Sequence, residues 1–382
     1  MKAIINGKII TQEGILQNSV ILFDNKIKHI ISKERLYQYD LEQIIDAKGK
    51  YVSPGFIDLH IHGSGGSDTM DGSIEDIIKI SNTICKNGVT AFLPTTMTMS
   101  SEDIYNVLDC IRECMKKELN GARVLGAHLE GPFINEKYKG AQNSKFIKKP
   151  SYDFIKDYFD IIKIITLAPE MDQNNQFIKK MEMHKDIILS IGHTNATYEQ
   201  AMDAIKKGVT HVTHTFNAMT PLHHRKPGVV GAAFQSEVNC ELIADTIHVH
   251  PGLFQFFVNV KGKDRVVLVT DSMRAGCMKC GEYELGTQKV IVDETSARLE
   301  DGTLAGSILT LNIALKNMYE HTNLELHEVV NMASLNGAKE LKIDNEKGSF
   351  KDGKDADITI FDDEFNIYLT IIEGKTVYNN LD

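Results

Sequence analysis

The chain has 382 residues, 42% hydrophobic and 25% charged, which is the composition of a globular protein with room for more than one domain. Its formal net charge of -10 argues against nucleic acid or an anionic membrane surface as a partner. No apolar run approaches the length that spans a bilayer.

The opening MKAIINGKII reads as a strand-like start rather than a leader peptide. The first fifty residues continue as short strands, with Asn6-Gly7 a strong tight-turn signal between apolar segments. The middle then changes style. Eight strand-like runs follow: 55–62, 89–95, 123–130, 161–170, 187–194, 209–215, 240–245 and 265–271. Between most of them lie stretches with helical periodicity, such as SIEDIIKISNTICKNG and TYEQAMDAIKKG, which stop at Gly88 and Gly208. Eight strands alternating with helices predict a closed (β/α)8 barrel. The last forty residues return to short strands, so both ends are expected to build one small β-sandwich. The expected division is 1–53 and 344–382 for the sandwich and 54–343 for the barrel. Six cysteines (Cys85, Cys110, Cys114, Cys240, Cys277 and Cys280) are expected as free thiols in a reducing cytoplasm. The lone CMKC at 277–280 has no second pair to complete a zinc site.

In such a barrel the chemistry sits at the C-terminal ends of the strands. The first run carries His60 and His62, two residues apart and therefore on one face of a strand. The third ends in His128 and Glu130, the fifth in His193, the sixth in His214, and the eighth in Asp271. The seventh ends in Asp245, with His248 just beyond. A lone pair of histidines on a strand is more often incidental than not. Metal-competent residues at one strand end after another are not. Imidazole and carboxylate without thiolate suit zinc, iron, manganese, cobalt or nickel. Such a metal lowers the pKa of bound water from about 15.7 towards 7. Asp271 is then expected as the general base that takes the water proton and returns it to a leaving group. A helix cap at Asp271 or a merely packed His193 are the bland readings, and they would have to hold at several strand ends at once.

The full pattern resembles the amidohydrolase superfamily, and within it the deacetylases of N-acetylglucosamine 6-phosphate. The resemblance runs over essentially the whole chain. It is carried by PGFIDLHIHGSGGSDTMDG, HLEGPF, KGAQN, IGHTNAT, THTFNAM, HHRKPGVVGAA, ADTIHVHP, LVTDSMRA and DGTLAGSILT. It implies hydrolysis of the acetamide of N-acetyl-D-glucosamine 6-phosphate to D-glucosamine 6-phosphate and acetate. Glu130, His193 and His214 match the ligands of the main metal, and His60 and His62 a pair that holds a second metal in some members. Asp271 matches the acid/base. Asn217, Ala218, Arg225 and His248 match residues around the sugar phosphate. Ala141, Gln142, Leu304, Ala305 and Gly306 match further substrate contacts. The resemblance also implies a homodimer in which Arg225 reaches the neighbouring site.

Independently, HHRKPG at 223–228 is the densest basic stretch near a strand end, and a guanidinium suits phosphate. Three positions depart from the family pattern. Gln142 stands where histidine is common, Thr246 replaces a glycine, and Lys226 follows the arginine where glutamate is usual. A two-metal relative bridged by a carboxylated lysine would need that lysine at the end of the fourth run, which instead reads ITLAPE. A catalytically dead scaffold is disfavoured by retention of every ligand and of Asp271.

Overall fold

The computed structural model describes residues 1–381. All eight runs form strands, each shorter than its run: β1 Phe56–Ile61, β2 Val89–Pro94, β3 Ala127–Glu130, β4 Ile162–Leu167, β5 Ile188–Ile191, β6 His211–Val212, β7 Asn239–Ile243 and β8 Val266–Val269. β1 pairs in parallel with β2, and β3 to β8 pair in parallel in chain order. The third run breaks at Leu125-Gly126. Its first piece, Arg123–Val124, pairs with β2, and the ladder passes to β3 through a Thr95–His128 bridge. Only glycine fits the break, because a Cβ on Gly126 would sit 2.4 Å from the Ile161 carbonyl oxygen. The ring closes between β8 and β1, where Ile61 bridges Ser272 and the Asp271 N–H donates to the His60 carbonyl at 2.8 Å.

The helices follow the periodicity. Ile74–Ile84 buries Ile77, Ile80 and Ile84, three and four residues apart. Ser73 caps it, and its extension stops at Gly88 in the left-handed region. Tyr198–Lys206 begins with a Thr197/Gln200 capping box. Their apolar faces join one core with the outward residues of the strands. Among the described residues no helix is long and apolar enough to cross a membrane.

Both chain ends build the second layer. A four-stranded sheet uses Ile27–Ser32, Ser19–Phe23, Lys2–Ile5 and Gln43–Asp46. A six-stranded sheet mixes Lys375–Asn379, Ile367–Ile372 and Ile358–Phe361 from the end of the chain with Tyr51–Pro54, Lys8–Ile10 and Ile15–Leu16 from its start. Ile4, Ile21, Phe23, Val52, Ile358 and Leu369 pack between them. A separate three-stranded sheet has no counterpart in the organisation expected from the sequence. Gly281–Leu285, Gln288–Val292 and Ala297–Leu299 form an antiparallel flap after β8, packed through Leu285, Val290, Val292 and Ala297 on Met97, Met273 and Ala305.

Candidate metal centre and substrate pocket

The strand ends turn inward by leaving strand geometry. His193, His214 and Asp271, just past β5, β6 and β8, have φ of 46°, 29° and 48°. Left-handed backbone at non-glycine residues costs on the order of 1 kcal/mol or more and gathers at functional sites. Here it aims three side chains at the barrel axis. His60, His62, Glu130, His193, His214 and Asp271 are all buried.

The imidazole Nε2 atoms converge on Glu130. Its Oε1 lies 3.1 Å from both His193 and His214 Nε2 and 3.4 Å from His60 Nε2. Its Oε2 lies 3.3 Å from His62 Nε2. His60 and His62 Nε2 are 3.4 Å apart, and Asp271 Oδ1 is 3.5 and 3.2 Å from them. Ligand atoms held ~2.1 Å from one tetrahedral ion lie ~3.4 Å from each other, which is the spacing found here. Three groups of three have ligand atoms close enough to share an ion: Glu130/His193/His214, His60/His62/Glu130 and, beneath them, His60/His128/Glu241.

The ring tautomers fit that use. His62 Nδ1–H donates to the Thr95 carbonyl at 3.2 Å, and His193 Nδ1–H to the Tyr138 carbonyl at 2.9 Å. His60 Nδ1–H donates to a Glu241 carboxylate oxygen at 2.9 Å. A carbonyl or ionised carboxylate only accepts, so each of these Nδ1 atoms carries a hydrogen. The neutral ring then presents a bare Nε2 to the centre. The pocket's field also favours positive charge. Burial pulls the His60 pKa down, but Glu241, Asp271 and Glu130 outweigh it and raise it to about 9. Burial pushes Glu130 up, yet His193 and His60 hold it well below the usual carboxylate range. Burial likewise pushes Asp271 up, and His60 and His62 outweigh it and bring it below its ordinary value.

His128 does not join the centre. Its Nδ1–H donates to the Leu59 carbonyl at 3.0 Å and its Nε2 accepts the Thr166 hydroxyl at 2.7 Å. Burial, then the neighbouring His60, lowers its pKa to about 3, so it stays neutral.

Above the centre opens a cavity of about 490 Å³ lined by His62, Glu130, His193, His214 and Asp271. Ala141, Gln142, Asn217, Ala218, His248, Leu304 and Gly306 also line it. His248 is fixed by Asp245, whose carboxylate accepts from its Nδ1 at 2.6 Å and its backbone N–H at 2.7 Å. Two expected contacts are placed differently from the rest. The Ala305 side chain is buried under the flap with Met97 and Met273, outside the lining. Arg225 is exposed on its loop, 2.7 Å from His224 Nε2, and does not line the pocket of its own chain.

Gln142 has its amide committed. Its Oε1 accepts the Thr98 backbone N–H at 2.6 Å, which directs its Nε2 to donate to Glu130 Oε2 at 2.7 Å. It therefore orients a candidate metal ligand, besides bordering the pocket. Sequence reasoning missed Lys137 and Arg298, two cations in the lining. It also missed Glu241, behind His60. The alternating pattern of EYELGTQKVIVDETSARLEDGT with its glycine turns would have flagged the flap that carries Arg298.

Comparison with known proteins agrees with this geometry. The amidohydrolase family profile matches residues 51–377, and the chain belongs to that family. A Bacillus subtilis N-acetylglucosamine-6-phosphate deacetylase is 40% identical over 97% of this chain and 95% of its own. The crystal structure of N-acetylglucosamine-6-phosphate deacetylase from Pasteurella multocida matches with a TM-score of 0.93 and 32% identity, covering 99% of this chain and 100% of its own. A Mycobacterium smegmatis N-acetyl-D-glucosamine-6-phosphate deacetylase mutant, solved in complex with N-acetyl-D-glucosamine-6-phosphate, matches with a TM-score of 0.91 and 25% identity over 99% of both chains.

Proposed function

We propose that this amidohydrolase hydrolyses N-acetyl-D-glucosamine 6-phosphate to D-glucosamine 6-phosphate and acetate. The observation that carries the reading is the position of Asp271, 3.2 Å from His62 Nε2 at the rim of a histidine–carboxylate centre that opens into the pocket. A divalent cation bound there supplies Lewis acidity and a water of lowered pKa. Glu130, His193 and His214 would hold the main ion, and His60, His62 and Glu130 would hold a second. The donor set suits zinc, iron, manganese, cobalt or nickel.

The chain's own residues do the rest. Asp271 accepts a proton from the attacking water as the new C–O bond forms. It returns that proton to the sugar nitrogen as the C–N bond breaks, releasing the amine and acetate. Ala141, Asn217, Ala218, Leu304 and Gly306 border the substrate, with Ala305 behind them, and Gln142 steadies Glu130. His248, held by Asp245, faces the phosphate end. We assign Arg225 to the pocket of a second copy in a cytoplasmic homodimer; its exposure on its own chain supports that reading. Residues 1–53 and 344–382 make the sandwich domain and 54–343 the catalytic barrel. An assay of acetate release, with the phosphorylated and unphosphorylated sugars side by side, tests the reaction. Turnover of the phosphorylated sugar is expected, and its absence in metal-loaded protein refutes the proposal.

A further inference from the structure

The floor of the metal centre holds a buried ionic chain that the reaction does not touch. Glu241 Oε2 accepts from His60 Nδ1 at 2.9 Å and from the His214 backbone N–H at 3.0 Å. Its Oε1 lies 3.2 Å from His211 Nε2. His211 Nδ1 in turn lies 2.9 Å from Glu340 Oε1, and the other Glu340 oxygen accepts from Asn239. His60, Glu241 and His211 have no exposed surface, and Glu340 is 9% exposed. None of Glu241, His211 and Glu340 lines the pocket.

Branched apolar side chains are the usual filling of a barrel interior. A buried ionic group adds little stability over such filling. This chain instead joins both halves of the centre, the His60 ring on one side and the His214 backbone on the other. A carboxylate behind a ligating imidazole fixes its tautomer and orientation and raises its basicity as a ligand. His193 and His62 have only backbone carbonyls in that place.

We propose that Glu241 is a positioning residue that sets metal affinity at the His60/His62 half of the centre, and that His211 and Glu340 hold Glu241 in place. The inference rests on the divalent-metal reading above. Glu241→Gln keeps the length and an accepting oxygen but removes the charge, so mere space-filling survives the change. Titration with zinc alone, against a competing chelator, reads both stoichiometry and affinity. Loss of such a partner typically weakens a metal site by about 10–100-fold. The class of zinc sites that His60→Asn with His62→Asn removes is expected to weaken by that factor in Glu241→Gln, with the Glu130/His193/His214 class changed less. Wild-type protein that binds no zinc would refute the metal reading itself. Wild type that binds two ions, matched by Glu241→Gln in count and affinity, would overturn this inference alone. If Glu241→Gln does not fold, Glu340→Gln decides. A weakening of several-fold in the same class supports the chain, and unchanged affinity overturns it.

Discussion

The Nε2 atoms of His193 and His214 lie 3.1 Å apart, and each is 3.1 Å from Glu130 Oε1. The Tyr138 carbonyl holds the hydrogen of His193 on Nδ1. His193 therefore turns a lone pair, and Glu130 a negative charge, towards the space between the three atoms, an arrangement that a cation relieves.

The second group of donors leads to a metal count. His60→Asn with His62→Asn should lower bound divalent metal from two per subunit towards one. Some activity should survive, because Glu130, His193 and His214 keep their positions. Elemental analysis of fully loaded protein checks this. A wild-type count of one, unchanged in the double variant, would refute two-ion binding.

Asp271→Asn should keep the fold and the metal and lose turnover by about 10²–10⁴-fold, the usual contribution of a general acid–base group. Asparagine is isosteric but cannot take the water proton. Near-normal turnover in metal-loaded Asp271→Asn would remove Asp271 from the role.

Arg225→Ala should raise KM for the phosphorylated sugar and leave the unphosphorylated sugar almost unaffected. A charge-assisted bond to phosphate is worth about 1.5–3 kcal/mol. Equal damage to both substrates would make Arg225 structural. Heterodimers of Asp271→Asn with Arg225→Ala should regain activity, since one of their two sites has both intact residues. No recovery in verified heterodimers would place Arg225 in its own chain's function.

His211 predicts an alkaline loss of stability. Burial lowers its pKa, but Glu340 and Glu241 outweigh burial and lift it from the ordinary 6.5 to about 10. A folded-state value above the unfolded one stabilises fully below pH about 6.5, and that contribution disappears as pH rises through about 10. Thermal melts at saturating zinc between these limits should show the decline in wild type and a flatter profile in His211→Gln. Parallel profiles would rule out a charged His211.

The barrel was legible because each strand and helix declares its period locally, and because His60, His62, Glu130, His193, His214 and Asp271 fall at strand ends, where the fold brings side chains together. Partners across the barrel were not. Glu241 reads as one acid inside CELIAD, and its partner His60 is 181 positions away. Gln142 reads as a substrate contact because its sequence gives no sign that Thr98 and Glu130 would claim its amide. The flap escaped because its short strands follow the eighth barrel run, where the alternation of strands and helices had already supplied a complete ring. Lys137 and Arg298 look like ordinary surface cations until the flap and the loop after β3 fold over the pocket.

Metal dependence and recognition of the phosphate meet in one reaction, the proposed deacetylation. It is tested most directly by acetate release from N-acetyl-D-glucosamine 6-phosphate, measured on one preparation before chelation, after chelation and after adding zinc or iron(II) back. Chelation is expected to abolish release and added metal to restore it, with the unphosphorylated sugar turned over far more slowly. Release that persists in fully chelated protein, or equal rates on both sugars, would contradict it.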